Sequence, residues 1–183
     1  MAKKMNRMTL FFLLMTVVSV VWYGNTKAAP ALTLAITFGT TAYHLAMRLM
    51  VGSAVNLLLH NHVDYRRRWF RVGMAEQRLY KKLRVKQWKG KMATYDPGCF
   101  DRKRHSWDEI AQATCQAELV HELIIVFSFL PIFAAIPFGA LPVFVLTSVL
   151  AAGFDAMFGV MQRYNRPRII KRIEQSAGGK SPR

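Results

Sequence analysis

The most informative segment of this chain is Cys115-Gln116-Ala117-Glu118-Leu119-Val120-His121-Glu122. It opens an apolar run that continues to Pro131 and that can cross a bilayer when paired with another such run. A helix turns by about 100° per residue, so Cys115, Glu118, His121 and Glu122 fall within an arc of ~120°. Ionisable side chains at membrane depth are costly and usually face a bundle interior or a water-filled cavity. The stretch therefore predicts a membrane helix with one polar, titratable face.

The composition of the whole chain agrees with a membrane protein. It has 183 residues, is 52% hydrophobic and carries a formal net charge of +16. Nucleic-acid binding is the other common explanation of such a charge, but here bilayer-length apolar runs separate the basic residues. Cys99 and Cys115 belong to neither a CxxC pair nor a zinc spacing. We therefore expect no nucleic-acid partner and no disulfide framework.

Four apolar runs predict the architecture, an all-α polytopic membrane protein. The predicted spans are 9–24, 31–55, 112–134 and 141–161, within one membrane domain over residues 1–175 that is followed by a disordered tail over 176–183. The first run is also compatible with a cleaved signal peptide, since small residues follow it. Because another spanning run begins almost at once, we favour an uncleaved first helix.

The segment between the second and third spans, residues 61–106, is strongly basic. It holds 14 of the 26 Lys and Arg residues, and Val72, Ala75, Leu79 and Leu83 recur in it at helical spacing. This pattern predicts a basic amphipathic cytoplasmic segment that lies on the membrane surface. Ser106 followed by Glu109 is a capping-box pattern, which predicts a helix that begins near Trp107.

The basic residues also predict the topology. Three lie at the N-terminal end and seven follow Met161, whereas the two short outer turns share only Lys27. Cytoplasmic loops carry an excess of Lys and Arg. We therefore expect a multi-pass protein of the cell inner (plasma) membrane, with both termini and residues 61–106 in the cytoplasm.

A second polar stripe runs along the second span. It consists of Thr33, Thr37, Thr40, His44 and Arg48. The threonines are equally explained by hydroxyls that bond their own helix carbonyls, whereas His44 and Arg48 favour an inward-facing polar site. The topology would place Arg48 at the inner leaflet boundary, together with Glu118, His121, Asp155 and residues 162–168.

A histidine with a carboxylate one turn away suits general acid–base catalysis. Glu118 would hold the imidazole while His121 takes a proton from a hydroxyl; a structural or headgroup-binding role is the alternative. Glu-x-x-His also occurs as half of a metal site in helix bundles, but the chain lacks a second copy, so we expect no metal. Cys115 could accept an acyl group, although a small buried thiol is the simpler interpretation.

Three pieces of the sequence resemble one family of small bacterial membrane proteins. They are Cys115-Gln-Ala-Glu-Leu-Val-His121, Gln162-Arg-Tyr-Asn-Arg-Pro-Arg168 and Lys86-Gln-Trp-Lys89. The chain is similar there to the glycosyl-4,4'-diaponeurosporenoate acyltransferases of the staphyloxanthin type, over about residues 78–170. The resemblance implies transfer of a fatty acyl chain to a sugar hydroxyl of a glycosylated carotenoid or similar lipid.

These observations together predict an acyltransferase of the inner leaflet whose catalytic residues are His121 and Glu118. Its partners would be membrane lipids, a glycolipid acceptor and an acyl donor, either acyl-CoA or a lipid, with no other cofactor. Arg48, Asn165 and Arg168 would stabilise the oxyanion or hold the phosphates of the donor. The predicted substrate-binding residues are His44, Arg48, Trp88, Lys89, Glu122, Asp155, Gln162, Arg163, Tyr164, Asn165 and Arg168. Two alternatives stay open: a non-catalytic lipid-binding or assembly subunit, and another lipid-modifying membrane enzyme such as a methyltransferase or hydrolase.

Overall fold

The computed structural model of the protein describes residues 2–92 and 97–178. Its secondary structure within these ranges is helical, without a strand, which confirms the all-α class. The α-helices are α1 (Ala2–Thr26), α2 (Ala29–Leu59), α3 (Met74–Lys82), α4 (Val85–Trp88), α5 (Trp107–Phe127), α6 (Ala135–Phe138) and α7 (Leu141–Gly178). Short 3₁₀ turns lie at Arg68–Phe70, Lys89–Lys91, Pro97–Phe100 and Leu130–Ala134.

Within the described residues, four stretches are long and apolar enough to cross a membrane, as predicted. They are Lys3–Thr26, Ala29–Leu59, Trp107–Phe138 and Leu141–Ser176. The turn between the predicted spans 9–24 and 31–55 is shorter than expected, because only Lys27 and Ala28 separate α1 from α2. Lys27 has a left-handed φ of 53° that reverses the chain. Pro30 is tolerated in the first turn of α2, where its missing N–H has no helical partner in any case.

The last helix extends well beyond the span expected at 141–161. Pro167 lies inside α7, where it removes the hydrogen bond to the carbonyl of Arg163 at a cost of roughly 3 kcal/mol. Ile169 and Ile173 pack against a buried apolar cluster and help to keep the helix continuous past the proline. Residues 176–178 of the tail expected to be disordered are helical, and residues 179–183 lie outside the described part of the chain.

The chain divides into two compact units, of which the first comprises Met1–Ser53 and Ile124–Gly153. The threonine hydroxyls of α2 bond the carbonyl oxygens of their own helix, from Thr33 to Ala29 at 3.1 Å and from Thr37 to Thr33 at 2.8 Å. This confirms, for the threonines of the second span, that their hydroxyls bond their own helix carbonyls. Arg48 donates to the carbonyl oxygens of His44 at 2.8 Å and Ala151 at 3.4 Å.

The second unit comprises Ala54–Leu123 and Phe154–Arg183. Its apolar core consists of Val63, Tyr65, Phe70, Ala111 and Cys115. The predicted capping box is present at the start of α5, where Ser106 N–H donates to Glu109 Oε2 at 2.7 Å and Glu109 N–H donates to Ser106 Oγ at 3.2 Å. The helix accordingly begins at Trp107.

The basic segment over residues 61–106 forms short helices rather than one long one. The left-handed backbone of Arg84, with a φ of 51°, separates α3 from α4. One face of the segment buries Tyr80 and Val85, while large apolar side chains on another remain exposed, namely Trp69, Met74, Leu79 and Leu83. Exposed apolar groups amid basic ones suit a membrane interface, where the apolar groups enter the lipid and the cations meet headgroups.

Candidate functional site

Glu118 forms the centre of a buried ion cluster in the second unit. Its Oε1 accepts a hydrogen bond from Arg163 Nη1 at 2.5 Å, and its Oε2 accepts one from Arg166 Nη2. Glu118 and Arg166 are both fully buried. Since burying an unpaired charge costs several kcal/mol, this ion cluster holds α5 and α7 together only while each of its charges keeps its partners.

All five N–H groups of Arg163 have acceptors within the protein. Nε and Nη2 donate to the Glu76 carboxylate at 2.7 and 3.1 Å. Nη1 also donates to the carbonyl oxygen of Trp69 at 3.0 Å, and Nη2 donates to that of Arg71 at 3.2 Å. The sequence predicts that Arg163 binds substrate. A guanidinium has five N–H donors, and with the hydrogen bond to Glu118 all five of them have protein acceptors. Its observed role is to join α7 to α3, to α5 and to the chain before α3.

Arg166 belongs to the same ion cluster and was not among the predicted site residues. It donates to the carbonyl oxygens of Phe70 at 3.0 Å and Thr114 at 3.2 Å. Its guanidinium also lies 5.0 Å from the centre of the Phe70 ring. The sequence did contain a signal, because Arg166 shares a helix face with Ile169 and Ile173, three and seven residues later. A basic residue on an apolar helix face is better explained by a buried partner than by a contribution to membrane topology.

The carboxylate that contacts His121 is Asp155 of α7. Asp155 Oδ1 lies 3.0 Å from His121 Nδ1, and the imidazole stacks on Phe158 with centroids 4.9 Å apart and planes within 10°. Glu118, the partner expected from the sequence, directs both carboxylate oxygens to arginines instead. Asp155 is 2% exposed whereas His121 is 20% exposed. When Nδ1 donates its proton to Asp155, the other ring nitrogen, Nε2, has a free lone pair that can accept one.

A second group of predicted residues meets around the ring of Tyr164. Lys89 Nζ lies 5.0 Å from the ring centre, and the Arg168 guanidinium lies 3.9 Å from it. Lys89 Nζ also donates to Asn165 Oδ1 at 2.5 Å. The structure therefore brings together Lys89, Tyr164, Asn165 and Arg168, which we call the cationic cluster.

The cationic cluster has no balancing carboxylate among the residues at 2–92 and 97–178. The ion pairs of these residues involve neither Lys89 nor Arg168. Burial lowers the pKa of Lys89, and the neighbouring charges of Arg168 and Lys86 lower it further. Clustered cations without an anion suit binding of a phosphate or another oxyanion, to which guanidinium and ammonium groups make charge-assisted hydrogen bonds.

Glu76 and Tyr80 of α3 complete the surroundings of Arg163. Tyr80 Oη donates to Glu76 Oε1 at 2.7 Å. Burial and this hydrogen bond raise the pKa of Tyr80 to about 12. Burial alone would raise the pKa of Glu76, but hydrogen bonds from Arg163, Tyr80 and the Gly73 N–H together hold it below its ordinary value. Glu76 was not predicted, although it is the only acidic residue between Tyr65 and Tyr95, within a strongly basic segment.

The other predicted residues have varied surroundings. Glu122 accepts a hydrogen bond from Trp69 Nε1 at 3.0 Å, and Trp88 Nε1 donates to the carbonyl oxygen of Leu83 at 3.0 Å. Gln162 is buried in the second unit, and His44 and Arg48 belong to the first. Cys115 lies fully buried in the apolar core of the second unit, which agrees with a packing role for its thiol.

Comparison with known proteins gives one result. A family model described as glycosyl-4,4'-diaponeurosporenoate acyltransferase matches residues 61–175, which is more than half of the chain. Neither the curated proteins nor the solved structures yielded a match. The matched range contains the ion cluster, the His121–Asp155 pair and the cationic cluster, whereas α1 and α2 lie before it.

Proposed function

The chain belongs to the glycosyl-4,4'-diaponeurosporenoate acyltransferase family, and from this premise we propose that it acylates a hydroxyl of a glycosylated lipid with His121 as the general base. Membership supplies the reaction class and, in general terms, the two substrates: an acyl donor and a glycosylated acceptor. The chemistry of the second unit supports the remaining assignments to particular residues, and the distribution of basic residues supports the inner leaflet.

The observation that carries the proposal is the hydrogen bond between His121 and Asp155. Asp155 fixes the tautomer in which Nδ1 carries the proton, and it stabilises the imidazolium that forms when Nε2 takes a second one. The acceptor oxygen loses its proton to His121 Nε2 and bonds to the acyl carbonyl carbon. The bond from that carbon to the leaving group of the donor then breaks, and the leaving group receives the proton from His121. Proton and acyl group are both balanced, and the histidine returns to its starting state.

Charge on the donor and on the tetrahedral intermediate needs positive partners. The cationic cluster supplies Lys89 and Arg168, with the Asn165 amide beside them. We assign to these residues the phosphates of the acyl donor, which both acyl-CoA and phospholipids carry. The residues for which we retain a substrate-binding role without a specified contact are His44, Arg48, Trp88, Glu122, Tyr164 and Gln162.

The role of Glu118 differs from the one expected from the sequence, in which it holds the imidazole of His121. Since its two oxygens bind Arg163 and Arg166, we assign it to positioning α7 against α5, and with it Asp155 against His121. Placement at the inner leaflet rests on the distribution of basic residues and on the exposed apolar side chains of the basic segment.

The test compares lipids extracted from cells that contain the wild-type protein, the His121→Gln variant or no protein. Mass spectrometry should find an acylated glycolipid, heavier by one fatty acid minus water, only with the wild type. The glutamine variant keeps the size and polarity of histidine but cannot act as a base. An equal amount of the acylated lipid with His121→Gln would exclude the base and favour a non-catalytic lipid-binding subunit.

A further inference from the structure

The first unit contains a cavity of about 470 Å³ that the proposed reaction does not use. Such a volume is typical of small-molecule sites, which measure roughly 300–1,000 Å³. Its wall comes from α1, α2, the segment over residues 130–138 and the start of α7, including Thr16, Tyr23, Ala35, Tyr43, Phe138 and Phe144. Small side chains at Ala35 and Ala134 leave the space open, and Pro131 and the short helices after α5 replace a regular helix there.

The hydroxyls along this wall are occupied by backbone carbonyls. Thr16 donates to Phe12 O at 2.7 Å, Thr40 donates to Ile36 O at 2.6 Å, and Tyr43 donates to Phe127 O at 2.7 Å. The remaining lining is apolar apart from Tyr23 at one end. A polar ligand would lose its hydration without gaining partners, so the wall favours a hydrocarbon.

The length of one wall and the aromatic side chains of the cavity indicate the class of hydrocarbon. Its α2 wall runs from Leu32 to Tyr43, which is roughly 16 Å along a helix axis. Four aromatic rings line it, those of Tyr23, Tyr43, Phe138 and Phe144. Aromatic rings pack by stacking or edge contact against other flat π-systems. These rings offer flat π-surfaces to a conjugated polyene, which a saturated chain lacks the π-system to match.

We propose that this cavity binds the polyene tail of the glycosylated acceptor. The inference rests on the proposed function only in that it takes the acceptor to be a glycosylated carotenoid. It assigns recognition of the acceptor tail to α1 and α2, which lie outside the family match, and it needs no residue of the His121–Asp155 pair.

The experiment measures binding rather than turnover. The full-length protein in nanodiscs is titrated with a linear apocarotenoid acid that has no sugar and therefore no hydroxyl to acylate. A polyene held in a protein site acquires circular dichroism in its visible band, which a polyene dissolved in the bilayer does not. We expect a saturable signal, weakened at least about tenfold in apparent affinity by Ala35→Phe, which fills the cavity. Leu34→Phe, the same enlargement on an exposed neighbouring position of α2, should leave the affinity unchanged.

Two further measurements would reveal a different occupant of the cavity. Excess palmitate should displace the polyene poorly; displacement at equal concentrations would show a site for saturated acyl chains and overturn the assignment. The absence of a saturable signal with the wild type would leave only bilayer lipid as the occupant and would likewise overturn it. Ala134→Phe fills the cavity from a different element and replaces Ala35→Phe if that variant does not fold. His121→Gln should bind the probe like the wild type, so failure of the catalytic proposal and failure of this one remain distinguishable.

Discussion

Asp155 Oδ1 lies 3.0 Å from His121 Nδ1, although 34 residues separate them in the sequence. The carboxylate one turn before the histidine, Glu118, instead binds two arginines. Asp155 and Glu118 thus have different partners, and substitutions at the two should have different effects.

The first prediction concerns the His121–Asp155 pair. Asp155→Asn and His121→Gln should each lower acyl transfer by ~10²–10⁴-fold, because one loses the group that orients the base and the other loses the base itself. The double variant should lose little more than either single variant, as expected for groups that act together. The measurement is turnover of purified protein at equal folded amounts, with Glu174→Gln on the exposed surface of α7 as the control. Losses that multiply in the double variant would contradict the coupling.

The second prediction concerns Glu118. Glu118→Gln should reduce stability by about 3–5 kcal/mol, because it leaves the buried guanidinium of Arg166 without its carboxylate. Thermal unfolding in detergent is the measurement. Glu122→Gln is the matched control, since it alters a carboxylate of the same helix that accepts a hydrogen bond from the exposed Trp69. A Glu118→Gln variant that unfolds like the wild type but turns over slowly would return Glu118 to the catalytic role expected from the sequence.

The third prediction concerns pH. The pKa of Glu76 lies below its ordinary value of 4.5 in the folded protein, so its stabilising effect is present above that value and is lost as the pH falls through the lowered pKa. Wild-type stability should therefore decline on acidification below about pH 4.5, and Glu76→Gln should remove part of this decline. Denaturation at pH 7 and at pH 4 gives the comparison. An unchanged pH dependence in Glu76→Gln, with the same slope as in Glu174→Gln, would count against the Glu76–Arg163 interaction.

The fourth prediction concerns the cationic cluster. Lys89→Gln and Arg168→Gln should each raise the KM for a phosphate-bearing acyl donor by roughly 10–100-fold while changing kcat less, because hydrogen bonds to charged groups contribute about 1.5–3 kcal/mol. Lys171→Gln removes one exposed charge from the same helix and should leave KM unchanged. Comparing acyl-CoA with a phospholipid donor identifies the source of the phosphate. Equal effects of all three substitutions would show that the cationic cluster attracts anions only through its overall charge and does not bind the donor specifically.

The fifth prediction concerns topology. A cysteine that replaces Lys86 should react with a membrane-impermeant maleimide only after the cells are permeabilised, since the distribution of basic residues places this segment inside. A cysteine that replaces Asn25, next to the turn between α1 and α2, should react in intact cells. Labelling of the Lys86 position from outside would remove the inner-leaflet assignment.

Local physical chemistry explains which structural features were predictable. The Ser106–Glu109 capping box and the threonine hydroxyl bonds of α2 involve residues three or four positions apart, so spacing alone determines them. The pairing of His121 depends on how α7 packs against α5, and no local spacing contains that information. Spacing alone therefore pairs Glu118 with His121, whereas in the structure Glu118 binds Arg163 and Arg166.

A count of basic residues likewise does not identify the ones that have structural roles. The basic residues after Met161 together account for the positive-inside bias. This explanation does not reveal which of them also have structural roles. Arg166 is fully buried, and the isolated Glu76 in the basic segment binds Arg163. A lone acid among many bases and a lone base on an apolar helix face are each better explained by a specific partner than by an average.

The ion cluster around Glu118 also fixes the order in which the protein can be completed during synthesis. The two guanidinium groups that neutralise Glu118 follow it by 45 and 48 residues. Domains acquire structure from the N-terminus as the ribosome advances, so α5 leaves the ribosome before its counter-charges exist. A nascent chain that stops before Arg163 holds a carboxylate at a position that the finished protein shields completely, and such a chain should be recognised by membrane quality control and degraded. Premature termination before Arg163 is therefore predicted to remove the whole protein from the membrane.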